Sequence, residues 1–311
     1  MKAIIYRQYG GPEVLEYTDV PEPKLSQTNI LIHVKAAALN PADHILQEGH
    51  GDSIMDAWFP VIPGWDVAGI VERAGAGVSE FAPGDEVIGF VREEILRHGT
   101  YAEKVSAAVS SFARKPRNAT WAQAAALPLA GLTAYQAIVH ALDIQAGETL
   151  LIHGASGGVG SIAAQIAVSL GAKVVGSASE INHNYLRSIG VQPVLYGDQL
   201  VEDVRRIVPE GYDAILDCAG RGVLSLNAKI GRTGVRACSI AGAAPGVKTV
   251  FARANQADLT KLVELVEAGV LIIPIAATYP LAEAAIAQQA LRNGRNAPGK
   301  IVLEANSHLH K

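Results

Sequence analysis

Cysteine is almost missing from this sequence: Cys218 and Cys238 are the only two in 311 residues. Two thiols build neither a disulfide framework nor a cysteine zinc cluster. Cys218 follows Leu216-Asp217 at the expected end of a strand, and both thiols read as buried and unreactive. Charge is scarce as well, at 18% of residues, and a net charge of −4 gives no electrostatic reason to bind nucleic acid or an anionic membrane. Long apolar runs are lacking. The longest apolar region, Ala122 to Ala141, is broken by Gln123, Pro128, Gly131 and Gln136, so no membrane span is expected. The chain starts directly on the strand pattern Lys2-Ala-Ile-Ile-Tyr6 with no cleavable leader, and a cytoplasmic location is the expectation. No internal repeat or low-complexity segment is present. What remains, with 49% hydrophobic residues, is a globular chain of one or two domains.

The most informative stretch is Thr149-Leu-Leu-Ile-His-Gly-Ala-Ser-Gly-Gly-Val-Gly160. Its apolar start has β character, a glycine-rich turn follows, and Ile162 to Leu170 reads as a helix ended by Gly171. Strand, glycine turn and helix form the context a dinucleotide fingerprint requires. Ala155, Gly157 and Gly160 fall on the three fingerprint positions, with alanine in place of the first glycine. Gly157 would let the backbone approach a pyrophosphate, and Gly160 would let the helix pack close on its strand. The free amides at the helix start, including those around Ser156, Gly158 and Val159, would face the phosphates. A second strand, Lys173 to Ser177, follows at the expected distance.

Up to about residue 120 the chain reads as β-rich, with Ile30–Val34, Val67–Val71 and Glu86–Phe90 between glycine and proline turns. Thr120 then caps a helix over Trp121 to Leu127, and Gly131 to Ala141 is a second helical stretch. Beyond the fingerprint, strands at Lys173–Ser177, Pro193–Tyr196, Ala214–Asp217 and Val235–Ala241 alternate with helices at Asn184–Ile189 and Val201–Ile207. Such alternation argues for a parallel, doubly wound sheet, closed by the amphipathic helix Asp258–Ala268. Ile272–Ala276, a helix over Leu281–Leu291 and a strand over Lys300–Glu304 fit that sheet poorly and are expected to complete the first domain. The expected organisation is therefore α/β: a β-rich domain from residues 1–120 and 270–311, and a Rossmann domain from 121–269.

Several further stretches accompany the fingerprint in this order: Ala38-Leu-Asn-Pro-Ala-Asp43, Pro63-Gly-Trp-Asp-Val-Ala-Gly-Ile-Val71, Gly84-Asp-Glu-Val87, Ala125 to Tyr135, Tyr279 to Ala284, and Pro298-Gly-Lys-Ile-Val302. Through them the whole chain resembles the medium-chain dehydrogenase/reductase family, in its zinc-free quinone oxidoreductase (zeta-crystallin-like) branch. The resemblance implies a GroES-like catalytic domain, a Rossmann domain, NADP(H) in the cleft between them, and a homodimer.

Zinc-dependent members of that family carry a cysteine where Asn40 stands and a histidine–glutamate pair where Trp65-Asp66 stands. Asparagine and tryptophan are no substitutes for a thiolate and an imidazole, so no zinc is expected. The histidines are scattered: His153 reads as packed on the first Rossmann strand, and His308 and His310 as solvated in a polar tail. Without a Lewis acid to hold an alkoxide, the expected chemistry is hydride transfer to a conjugated acceptor, a quinone or an α,β-unsaturated carbonyl.

NADPH is the expected cofactor. The acidic residue that binds the ribose of NAD about 20 positions past the glycines is absent. The strand end there is Ser177-Ala178-Ser179, with Ser177 as the candidate hydroxyl for a 2′-phosphate and Tyr196 at the end of the third strand, where the resemblance suggests a contact to the adenosine phosphate; Glu180 reads as a solvated charge. The lysine many relatives carry beside this serine is missing.

The resemblance also turns Asn40 and Asp43 toward the nicotinamide, Asn40 either binding a substrate carbonyl or capping a turn, Asp43 relaying a proton, orienting the loop or serving as a cap. Trp65 would line the cleft or the core. Thr133 would lie beside the nicotinamide or be an ordinary helix hydroxyl. Ala241, Gly242 and Phe251 fall where the family's nicotinamide-contacting loops lie, with core as the other reading for Phe251. The aperiodic stretch Gly49–Phe59 offers Met55, Trp58 and Phe59 as a pocket wall or as aromatics tucked inward. A tyrosine that several relatives carry two positions after Asp43 is Ile45 here, so one phenolic proton donor is lost. Two other functions fit the same fold: an enoyl-thioester reductase, with Arg292-Asn-Gly-Arg295 as its thin basic patch, and a non-catalytic NADPH-binding protein.

Overall fold

The structure is a computed structural model that describes residues 1–294 and 297–305. Two sheets dominate it. The first has seven strands, built around Asn29–Ala38, which pairs antiparallel with Asp66–Ala74, Lys104–Ala108 and Lys300–Glu304. Alternating burial along these strands puts Ile30, Ile32 and Val34 on one face with Val67 and Val71. The second sheet has six strands, all parallel, in the order Gln192–Leu195, Lys173–Ala178, Thr149–His153, Tyr212–Asp217, Gly231–Ser239, Lys248–Thr249. Numbered from the fingerprint strand this is 3-2-1-4-5-6, the Rossmann order, with the nucleotide crevice expected where the order reverses. The fold is thus a GroES-like sheet joined to a Rossmann sheet.

The chain does return to the first sheet. Ile275–Pro280 pairs parallel with Lys300–Glu304, which lies against Asn29–Ala38, and helix Ala284–Arg292 packs on the same strands. Between the sheets run the helices Trp121–Ala126 and Pro128–Tyr135. Thr120 caps the first in a reciprocal capping box with Gln123, as its position before the apolar run predicts. The two helices carry small buried residues, Ala124, Ala125, Ala126 and Ala130, which let the sheets approach. One apolar core consequently runs from Ala36, Ala68 and Phe90 through these alanines to Leu150, Ile152 and Ile162.

Four expectations need correction. Gly49–Phe59 is not wholly irregular: Asp56–Ile62 is a strand that pairs parallel with Ile95–His98. The second helix starts at Pro128, which suits the first helical turn because its missing N–H has no partner to lose there. The fifth Rossmann strand runs from Gly231 to Ser239 and leaves Ala241 in the following loop. A sixth strand, Lys248–Thr249, adds to the sheet, and its two residues carry no period that the sequence could display. Arg295, His308 and His310 lie outside the described residues.

Candidate active site

The glycine turn is built by backbone sterics. Gly154, one residue before the fingerprint, takes the left-handed conformation at φ +73 and reverses the chain. A Cβ on Gly160 would lie 2.3 Å from the Gly154 oxygen and 2.9 Å from the Ala155 Cα, so helix Gly158–Ser169 can sit this close only with glycine there. Ala155 is fully buried, and a Cβ on Gly176 of the neighbouring strand would meet its methyl at 2.5 Å. Alanine at the first fingerprint position therefore serves strand packing. Ser156, Gly157, Gly158 and Val159 are partly exposed, and Gly157 caps the helix without a side-chain partner for the first-turn amides. This is the arrangement a pyrophosphate fits: unpaired N–H groups at the positive end of a twelve-residue helix.

Ser177 is placed differently from the expectation. It is buried, and its Oγ accepts from Gly154 N at 3.3 Å, so it tightens the turn. The hydroxyl at the strand end is Ser179, partly exposed; buried Asn182 donates from one Nδ2 to Ser179 Oγ (3.1 Å) and Ser156 Oγ (3.3 Å). Glu180 is exposed, and so are Tyr196 and Phe251, the latter at 77%, which excludes a core role for it. Ala241 and Gly242 form an exposed loop held from beneath. Both backbone amides donate to Ser239 Oγ, and Ser239 donates to the buried Asp217 carboxylate at 2.9 Å. The other Asp217 oxygen accepts from Ala219 N and Gly220 N at 2.8 Å each. One carboxylate thus fixes two loops at the open end of the sheet.

A buried polar network lies on the catalytic side. Asn40 begins helix Pro41–Gln47, and Asp43 closes a capping box by accepting from Asn40 N at 2.7 Å. Asp43 also accepts from the buried Tyr101 hydroxyl at 2.7 Å. Burial pushes the Asp43 carboxyl up to about 7, against the opposing pull of Tyr101 and the Asn40 amide. Asn40 donates from Nδ2 to Asp66 at 2.9 Å, and its Oδ1 accepts from Lys300 Nζ. Lys300 lies 3.2 Å from the same Asp66 oxygen, and the second Asp66 oxygen accepts from Leu129 N at 2.7 Å. Burial raises the Asp66 pKa, and the Lys300 ammonium works against that rise. Asn40 is accordingly both the cap and a member of the network. Asp66, Tyr101 and Lys300 complete the site without a sequence signal of their own, although Asp66 and Lys300 sit inside two of the family-like motifs. Adjacency to Trp65 was the one available signal.

Asp43 and Trp65 line one pocket, which continues past Tyr6, Gly64 and Leu96 to Arg97. Trp65 stands edge-on to Phe90 at 6.0 Å, with the Arg92 guanidinium 5.8 Å over its ring. Thr133 is buried and its hydroxyl donates to Leu129 O at 2.7 Å, the ordinary helix bond. Of the apolar loop residues Met55 alone is buried; Trp58 is half-exposed beneath Arg97, and Phe59 meets Tyr6 and Tyr9 edge-on. His153 is fully buried, and burial lowers its pKa to about 4, which fits a packed neutral ring. Burial also raises both thiols, Cys238 to about 12.

A Rossmann turn set against a GroES-like sheet, with a buried polar cluster between them, defines a two-domain nucleotide-dependent oxidoreductase. The chain belongs to the medium-chain dehydrogenase/reductase family, in the quinone oxidoreductase group. Residues 26–117 match the alcohol dehydrogenase GroES-like domain, and residues 189–303 match the zinc-binding dehydrogenase domain. The NADPH-dependent alkenal/one oxidoreductase of Arabidopsis thaliana chloroplasts is 33% identical over 97% of this chain and 79% of its own length. A solved NAD-dependent alcohol dehydrogenase superposes with TM-score 0.89 at 30% identity, over 98% of this chain and all of the other. The Escherichia coli quinone oxidoreductase complexed with NADPH superposes at 0.85 and 26% identity, over 98% and 100%.

The second of those domain families is a zinc-binding one, and the residues here do not fit zinc. The oxygens of Asn40 and Asp66 both face the Lys300 ammonium, a cation already in place, and Trp65 offers no donor. Among the described residues no three His, Cys, Asp or Glu side chains are grouped to hold a metal ion.

Proposed function

We infer that this chain is an NADPH-dependent oxidoreductase that passes hydride to a quinone or an α,β-unsaturated carbonyl without zinc. The observation that carries this is the junction of the glycine turn with the Asn40–Asp66–Lys300 network. A dinucleotide turn stands beside a site whose cation is a lysine already engaged by Asp66 and Asn40. Such a site supplies weak electrophilic help, which suits acceptors whose developing charge is spread by conjugation. The turn residues Ser156–Gly160 fit the pyrophosphate. Ser179, Ser156 and Asn182, with no carboxylate among them, fit a 2′-phosphate better than a bare ribose. Bound there, the cofactor would supply the hydride; the protein's part is to orient it and to exclude water. The small cavity beside Asp43, Trp65 and Leu96 would mark the side on which the acceptor lies, and Ala241, Gly242 and Phe251 would flank the nicotinamide.

In this reading residues 1–120 and 270–311 act as the catalytic half and 121–269 as the nucleotide half. A homodimer through the edge strand Lys248–Thr249 is part of the proposal, supported by its having a sheet partner on one side only among the described residues. A cytoplasmic setting is supported by two free, protonated thiols; no described helix is long and apolar enough to cross a membrane. The test is loss of reduced-nicotinamide absorbance when purified protein meets NADPH and a panel of quinones, enones and enoyl thioesters, with and without a metal chelator. Turnover of quinones or enones that the chelator leaves unchanged is the expected result. Binding of NADPH with no turnover on any acceptor, or chelator-sensitive turnover, overturns it.

A further inference from the structure

We propose that Lys300 is a positioning residue: it holds the nucleotide turn in register with the Asn40–Asp43 helix start and so sets where the hydride donor stands relative to the acceptor. The proposal rests on the functional reading above and adds a residue with a role of its own. Lys300 begins the last described strand, far in sequence from both the glycine turn and that helix start, yet it touches each of them. Its aliphatic stem crosses the fingerprint: a Cβ on Gly158 would lie 3.0 Å from Lys300 Cδ and 3.1 Å from Cγ. The preceding amide, Gly299 N, donates to Ser156 O at 3.3 Å. The segment is anchored from the other side by Lys300 N donating to Pro274 O at 3.0 Å. The ammonium then reaches Asn40 Oδ1 and Asp66 Oδ2 on the catalytic side. Asp66 extends the connection to Leu129 N, at the start of helix Pro128–Tyr135.

Stability alone does not account for this arrangement. Lys300 is 4% exposed and Asp66 0%, and burying an ion pair costs about as much in lost hydration as the attraction returns. Well-packed apolar residues would fold as well. What an ion pair adds is registry: its oxygens and ammonium satisfy one another in one arrangement only, whereas apolar side chains slide. Here the registered parts are the turn that fits the pyrophosphate and the helix start on the acceptor side. Hydride transfer is steeply sensitive to the distance between donor and acceptor carbons, so a shift of about 1 Å is expected to cost on the order of a hundredfold in rate.

The experiment compares Lys300→Met, which keeps the stem and loses the charge, with Asp66→Asn, the double variant, and Lys300→Arg. Each is measured for thermal midpoint, for NADPH binding by nicotinamide fluorescence, and for kcat and KM on the best acceptor of the panel. Lys300→Met alone leaves a buried carboxylate without its cation, so a lower midpoint is expected from it in any case. The double variant removes that imbalance. The expected result is a double variant with its midpoint restored, KM for NADPH changed by no more than about threefold, and kcat still down about ten- to a hundredfold. Lys300→Arg is expected to recover part of that kcat. A double variant with wild-type kcat would mean that Lys300 only neutralises Asp66, and the proposal falls. Lys300→Met with kcat within about twofold of wild type sinks it equally. Failure of the functional reading looks different, because the wild-type protein then turns over nothing. The proposal is read in that case from bound nicotinamide emission, which must differ between wild type and the double variant and sinks the proposal if it does not.

Discussion

Gly160→Ala and Gly157→Ala separate the two duties of the nucleotide turn. At Gly160 the added methyl would start 2.3 Å from the Gly154 oxygen and 2.9 Å from the Ala155 Cα, and both neighbours are backbone. Relieving that contact to ordinary distance lifts helix Gly158–Ser169 by on the order of 1 Å. Overpacking of this kind costs about 3 kcal/mol at its upper end, and glycine to alanine inside a helix returns about 1 kcal/mol, leaving a net loss near 2 kcal/mol. The same lift moves the first-turn amides, so NADPH affinity should fall by about tenfold or more. Gly157 differs. Its φ of −72 suits alanine, and the nearest atom to a new Cβ is 3.3 Å away, again the Gly154 oxygen. Exchanging one weak cap for a slightly weaker one costs about 1 kcal/mol or less, while the methyl stands where the pyrophosphate would approach. Urea unfolding and fluorescence titration with NADPH measure both quantities on the same samples. Gly160→Ala should lose stability and affinity, Gly157→Ala mainly affinity. A Gly160→Ala protein as stable as wild type would refute the steric argument, and Gly157→Ala with unchanged affinity would refute the placement of the pyrophosphate.

Three further outcomes follow from the charges and thiols. The Asp43 carboxyl stands near 7 in the folded chain against an unperturbed 3.8, so the native state binds the extra proton. Its contribution to stability is full below about pH 4 and lost as the pH rises toward 7, by at most about 4 kcal/mol. Asp43→Asn should flatten the stability profile across that window, with a residual slope of the same sign from Asp66, whose pKa is also raised; an unchanged slope contradicts the assignment. Ser179→Asp puts a carboxylate where a 2′-phosphate is expected, and should lower the ratio of kcat/KM for NADPH over NADH by about tenfold or more. Equal loss with both cofactors counts against Ser179 as a phosphate contact. Cys238, fully buried where Cys218 keeps some exposed surface, should react with a disulfide reagent at mildly alkaline pH only once the protein is unfolded, since burial holds its thiol at about 12; fast labelling of Cys238 in the native protein would contradict that burial.

The parts of this molecule that were legible in the sequence are those written within a few neighbouring residues. Thr120 with Gln123 announces a helix start because both halves of the capping box are local. The glycine turn is legible for the same reason, and the alternation of strands and helices after it leads to the parallel sheet. Within the turn, though, residue type did not reveal the division of labour. Gly154 makes the reversal, Ala155 packs on Gly176, and Ser177 supports Gly154, and each of these depends on a strand pairing that spacing does not display. Ser177 illustrates the limit well: residues two apart share one face of a strand, so what separates the buried Ser177 from the partly exposed Ser179 is the strand end at Ala178, which residue type does not display.

The network was legible only as a loss. Asn40 and Trp65 show that a thiolate and an imidazole are missing from the positions a zinc ion would need, but nothing local shows what fills the gap. The answer arrives from Lys300, 260 residues beyond Asn40 and 234 beyond Asp66. A lysine between a glycine and an apolar strand reads as a solvated surface charge, since lysine is rarely buried. Its burial follows from where the strand starts: the Lys300 stem lies against Gly158 of the glycine turn, and its ammonium reaches Asn40 and Asp66. Asp66 and Lys300 therefore explain each other. A buried carboxylate without a cation and a buried ammonium without an anion are both untenable, so each of the two is tolerated in the interior because the other stands within 3.2 Å.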